Sequence, residues 1–167
     1  MPLDPYTGCL VTIDEAHREL HDGDHYSYFD SVTIANNGTQ DYLIQTIPTR
    51  PWIHFVFDAD GTAITQFQLY EGADRTPTTL QSPINNNRNS NHTPTVKVYK
   101  GQTAGTTDGT LILQYKSGTS SGPSTRTNSA YRSDSEIILK QGITYIFRVT
   151  SGTDGNLVNV SFKWYEN

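Results

Sequence analysis

His17, His21 and His25 stand four residues apart, beside Asp22 and Asp24. On a continuous helix that spacing stacks three imidazoles on one face, an arrangement able to hold a divalent metal. Two features oppose it. Asp22-Gly23-Asp24 reads as a turn that breaks the helix, and Arg18 follows His17 where a zinc protease motif needs glutamate. The expectation is a polar arm entering a turn, with histidines satisfied by nearby hydrogen bonds and no metal. Asp58 and Asp60, with Asp24 and Asp30, offer paired carboxylates of the kind that cleave glycosidic bonds. Asp60 precedes Gly61, where aspartate is expected for backbone reasons. Lys116-Ser117-Gly118 and Ser120-Ser121-Gly122 lie in Ser/Gly-rich loops, without the strained strand-to-helix turn of a serine hydrolase. Cys9 has no histidine-linked signature and reads as a structural thiol. No glycine pattern for phosphate or dinucleotide binding occurs. These residues predict neither an enzyme nor a cofactor.

Bulk composition narrows the classes further. At 167 residues the chain fits one domain, against a prior of one per ~150 residues. Charged residues make up only 17%, and Thr, Ser, Asn, Gln and Gly fill the gap, as expected of turns and uncharged strand faces. The aromatic share of 11% argues against disorder. A net charge of −5 with scattered Lys and Arg opposes nucleic-acid binding. No apolar stretch is long enough for a membrane-spanning helix. A single cysteine rules out an internal disulfide. The N-terminus reads as lacking a secretory signal, so synthesis in a cytoplasm is expected.

The elements that must position all this are strands. Residues 1–23 read as an N-terminal arm: Pro2 and Pro5 oppose regular structure, 9–13 form a short strand-like run, and 14–20 make one or two helical turns too short to stand alone. The arm needs a partner surface, with Tyr6, Leu10, Val11 and Ile13 as its contacts. Residues 24–167 read as a β-sandwich domain. Tyr26, Tyr28, Val32 and Ile34 share one strand face, and Asn36-Asn37-Gly38 supplies a tight hairpin turn. The run 52–57 is apolar on both faces and predicts a central strand buried from two sides. Phe67 and Leu69 oppose Gln66 and Gln68. Residues 71–94 read as a long polar excursion in which Pro77, Pro83 and Pro94 prevent ladder formation at their own positions. Tyr145, Phe147 and Val149, then Val158, Val160, Phe162 and Trp164, give the cleanest alternation. Trp52 and Trp164 are both assigned to the core, and the competing reading of exposed aromatics is glycan stacking. Eight to ten strands at regular spacing predict an all-β, antiparallel, jelly-roll-like sandwich.

Five stretches carry a resemblance: 21–24 (His-Asp-Gly-Asp), 40–44 (Gln-Asp-Tyr-Leu-Ile), 67–73 (Phe-Gln-Leu-Tyr-Glu-Gly-Ala), 84–90 (Ile-Asn-Asn-Asn-Arg-Asn-Ser) and 136–140 (Glu-Ile-Ile-Leu-Lys). From about residue 14 to the end, the chain resembles capsid decoration (cement) proteins of tailed-bacteriophage virions. The resemblance implies a jelly-roll-like domain that trimerises on the outside of a phage head, binds the major capsid protein and stabilises the shell. The expected location is the virion exterior, with no nucleic-acid or membrane partner. The competing expectation is a glycan-binding or host-attachment module of a head or tail fibre.

Overall fold

The computed structural model describes residues 14–49, 52–118, 129–130 and 136–166. Among the described residues one short helix, α1 (Glu15–Asp22), precedes twelve strands: β1 (His25–Ile34), β2 (Thr39–Gln45), β3 (Ile53–Gly61), β4 (Thr65–Glu71), β5 (Asp74–Leu80), β6 (Ile84–Asn85), β7 (Lys97–Thr107), β8 (Thr110–Ser117), β9 (Ser129–Ala130), β10 (Ile137–Leu139), β11 (Thr144–Ser151) and β12 (Asn156–Glu166). They form two antiparallel sheets. The first runs β10-β3-β12-β1-β6, with β9 also on β3, and the second runs β5-β7-β2-β11-β4-β8. The expected all-β sandwich is the observed fold.

Alternation builds its core. Inward residues of β1, β3 and β12 from the first sheet meet those of β2, β4 and β11 from the second. Phe162 is fully buried at the centre, 5.4 Å from Phe55, 5.6 Å from Tyr42 and 5.2 Å from Phe147 between ring centroids. The contacts to Tyr42 and Phe147 are edge-on, the geometry that aromatic quadrupoles favour.

Most connections switch sheets. Asn37 takes the left-handed conformation (φ 58°) that its turn predicts, yet β1 and β2 lie in different sheets. The expected hairpin is therefore an arch. The burial pattern also corrects β3, which alternates fully between buried and half-buried residues. His54 and Val56 face outward, and among the described residues no third layer covers them. Residues 71–94 are corrected as well: they contain β5 and β6. Pro77 sits in β5 without disrupting the sheet because β5 is an edge strand, where a missing N–H costs no ladder bond.

The second sheet curls on itself. β4 runs into β5 through residues 72–73, and β7 runs into β8 through 108–109, so a two-stranded ribbon bends from one rim of the sheet to the other. Gly109 makes this bend possible. Its φ is 90°, and a Cβ there would lie 2.3 Å from the Glu71 carbonyl oxygen. Arg148 anchors the bend from β11. It donates to both Asp41 carboxylate oxygens (2.8 and 2.9 Å) and to Asp108 in the ribbon turn at 2.7 Å. Asp108 also accepts from Arg75 of β5 at 2.9 Å, and the Tyr70 ring lies 5.4 Å from the Arg148 guanidinium carbon. On the same face Leu43 and Ile146 pair across β2 and β11 and are fully buried.

These pairs have an acid-sensitive consequence. The Arg148 hydrogen bond, aided by Arg75, holds Asp108 below its ordinary pKa, and the Lys140 hydrogen bond does the same for Glu71, with Tyr145 assisting. A carboxyl with a depressed folded-state pKa contributes stability that is present in full above its unfolded value and is lost as pH falls through the folded value. Melting temperature is therefore expected to fall as pH drops below the ordinary values of 4.5 and 3.8. The fall should be shallower in Lys140→Met than in wild type. Equal acid slopes in the two proteins would contradict the assignment of Glu71.

Candidate functional site

Asp14 caps α1 by accepting from the Ala16 N–H at 3.0 Å, and Gly23 closes the helix in the left-handed conformation. The helix packs against β1 and β12, so residues 14–22 lie on the sandwich. Asn87 donates to the His21 carbonyl and Asn85 to the Gly23 carbonyl, tying the helix end to the Asn-rich loop. That structural use explains the run 84–91, which alternation leaves unread.

The histidine constellation separates. His17 and His21 meet, with their Nε2 atoms 2.9 Å apart on the exposed helix face. His25 starts β1, and its Nδ1 bonds the Asn86 amide. Burial lowers the His25 pKa, with the Lys163 charge adding to the shift. Asp22 pairs with Arg18, and Asp24 with His92. Among the described residues no group of three or more histidines, cysteines and carboxylates is placed to hold a metal. The carboxylate candidates are scattered too. Asp30 points inward, where it accepts from Tyr42 at 2.8 Å and pairs with Lys100 at 2.6 Å. Asp60 accepts from Asn159, and Asp58 stands opposite Ser161 on the outer face. The proposed arm contacts Tyr6, Leu10, Val11 and Ile13, and Cys9, fall outside the described residues.

Alternation misses a row on the outer face of the first sheet. His25, Tyr165 and His54 are register neighbours on β1, β12 and β3. The Tyr165 ring stacks on His54 at 4.4 Å, with His25 at 6.3 Å on its other side. Glu136 binds both the Tyr165 hydroxyl (3.2 Å) and His54 Nδ1 (3.0 Å). A carboxylate fixing a histidine at Nδ1 is how hydrolases orient a general base. Here no hydroxyl or thiol among the described residues bonds the other ring nitrogen, and the group clamps β10 to β3. Alternation places His54 and Tyr165 at outward positions of their strands, but only the register of β3 against β12 brings them together.

The same face concentrates exposed apolar side chains. Phe29 is 68% exposed and Ile138 49%, and Leu157 and Ile84 are also exposed. Register places Ile84 opposite Ser27, Ile138 opposite His54 and Leu157 opposite Thr33, all at outward positions. Trp52 stands at the rim, directly before β3. It is 55% exposed, which corrects its assignment to the core: it precedes the ladder and no facing sheet covers it. Trp164, 1% exposed, is in the core as expected, with its indole N–H bonded to buried Glu166 at 3.0 Å. The remaining exposed large hydrophobics, Leu80, Leu111 and Ile112, belong to the two outermost strands of the second sheet.

Comparison with protein-family models, with curated proteins and with solved structures gives no match.

Proposed function

We propose that this protein is an attachment module that does no chemistry of its own: a decoration protein that binds the outer surface of a tailed-phage capsid and stabilises the head. One observation carries the reading. Phe29, Ile84, Ile138 and Leu157 are exposed on a single sheet face otherwise rich in Ser, Thr and Asn, with Trp52 at its rim. Exposed apolar side chains set in a polar surround are what protein–protein contacts use. The face is backed by an interlocked aromatic core, so docking costs little ordering entropy. The resemblance to decoration proteins agrees with this use of the surface, and repeated copies on a shell would add avidity to modest single contacts.

The test is co-sedimentation with emptied, undecorated heads of the cognate phage. Wild-type protein is expected to pellet with the heads. Ile138→Ser is expected to weaken binding about tenfold or more, in line with loss of a buried interface anchor, while melting as wild type does. Equal binding by Ile138→Ser and Trp52→Ser proteins would remove this face from the contact.

The exposure of Trp52 favours one competing reading, a glycan-binding module in which the indole stacks on a sugar ring. A glycan array decides between them. Selective glycan capture lost in Trp52→Ala supports the second reading, and an array without signal supports the first.

A further inference from the structure

The free edge of β1 is shaped to pair with itself. On one side β1 is fully laddered to β12. On the other, β6 covers only its start: Asn86 donates to the His25 carbonyl, and Ser27 faces Ile84. Pro83 stands immediately before β6 and limits it, since proline has no N–H to continue a ladder. Among the described residues, no strand lies beside 28–34 on this edge.

Bond direction along this edge is fixed. In an antiparallel strand, successive residues send both backbone groups to alternate sides. Asp24 bonds towards β12 and His25 towards β6. Phe29, Ser31 and Thr33 therefore aim their N–H and C=O groups at the open edge. Ser31 is the midpoint of the uncovered stretch and one of these outward-bonding residues.

We infer that two copies of this chain join edge to edge through β1, related by a twofold axis at Ser31, so that their first sheets become one. Ser31 then faces Ser31 of the second copy, and Phe29 faces Thr33, with every outward backbone group of the stretch bonded. The limits fit as well. Ile34 falls opposite Tyr28, and there the chain leaves through the Asn37 arch to β2, just short of where the second copy's β6 begins. Phe29, 68% exposed in the single chain, is covered by Thr33 of the other copy. Ser31, Thr33 and Phe29 bring no charge to the seam. Edge strands are commonly protected by an inward-pointing charge, and Asp30 is such a charge. Here Lys100 and the Tyr42 hydroxyl neutralise it within the chain, so it enters the seam as a satisfied ion pair. A self-complementary patch of this kind closes as a twofold dimer and does not propagate. The pairing concerns the protein alone in solution; in the dimer Phe29 belongs to the seam, and Ile84, Ile138, Leu157 and Trp52 are the residues that the capsid reading keeps.

The experiment is sedimentation velocity over a concentration series, with hydrogen exchange on the wild-type chain. Wild type is expected to be a dimer whose Phe29, Ser31 and Thr33 amides are protected. Ser31→Pro removes an N–H that has no partner among the described residues, and is expected to give a folded monomer. Ser31→Lys and Ser31→Glu each place like charges directly opposite one another across the axis, and each is expected to weaken the dimer about fivefold. An equimolar mixture of the two is expected to recover it as a heterodimer. A wild-type monomer or trimer, fast exchange at those three amides, or a Lys/Glu mixture no tighter than its components would each overturn the pairing. The exchange measurement decides the question even if a variant fails to fold.

Discussion

Arg148→Met is expected to destabilise the protein by about 3–5 kcal/mol, the usual cost of stranding a buried charge. Asp41 is 8% exposed, and Arg148 satisfies both its oxygens. Gln102 also donates to Asp41, but an amide brings no compensating charge. Asp108 keeps Arg75 and suffers less. The loss is expected to be local in origin, because the Arg148 bonds tie the bent ribbon of β4–β5 and β7–β8 to β11. Hydrogen exchange in β5 and β7 should therefore accelerate before that in β12. The double change Arg148→Met with Asp41→Leu is expected to recover most of the stability, since an apolar pair of similar volume leaves no charge unsatisfied. Urea melts of the single and double variants check this. A single variant within about 1 kcal/mol of wild type, or a double variant no better than the single, would show that the network does not hold the bend.

Phe162→Ala is expected to cost a comparable amount, about 3–5 kcal/mol, for a different reason. Phe162 is fully buried and touches the rings of Tyr28, Tyr42, Phe55 and Phe147, which come from both sheets. None of these neighbours can move inward without leaving its own ladder, so the cavity collapses little. The melting temperature is expected to fall on the order of 10 °C, measured by calorimetry. Phe162→Leu retains much of the volume and should lose markedly less. A similar fall in both variants would mean that edge-on ring geometry, rather than filled space, supplies the stability.

The two variants separate what sequence displays from what it conceals. Phe162 belongs to an unbroken alternation in β12, and its burial can be read from period two alone. Arg148 occupies an outward position of an equally clear strand. Nothing local says that a ribbon made from residues 65–80 and 97–117 bends round to meet it. Alternation assigns faces and leaves the partner strand open. For that reason Asn36-Asn37-Gly38 reads as a hairpin yet forms an arch, since a left-handed Asn37 serves either connection. Pro77 misleads in the opposite direction, because proline forbids a central strand and tolerates an edge. The apolar run 52–57 suggests two-sided burial where the structure shows one buried face and one outward face.

The candidate site was legible only in part. The spacing of His17, His21 and His25 is plain in sequence, but Gly23 ends the helix between the second and third, as the turn reading expects. The His25–Tyr165–His54 row joins strands far apart along the chain, so no local pattern marks it. Trp52 shows how little a residue type says when its place in the ladder is unknown.

Electron cryo-microscopy of emptied, undecorated heads mixed with the purified protein tests the central claim most directly. Added density is expected on the outer shell, with the face that carries Ile138 and Trp52 turned towards the major capsid protein. Heads that gain no density at saturating protein, or density contacted only by the second sheet, would contradict it.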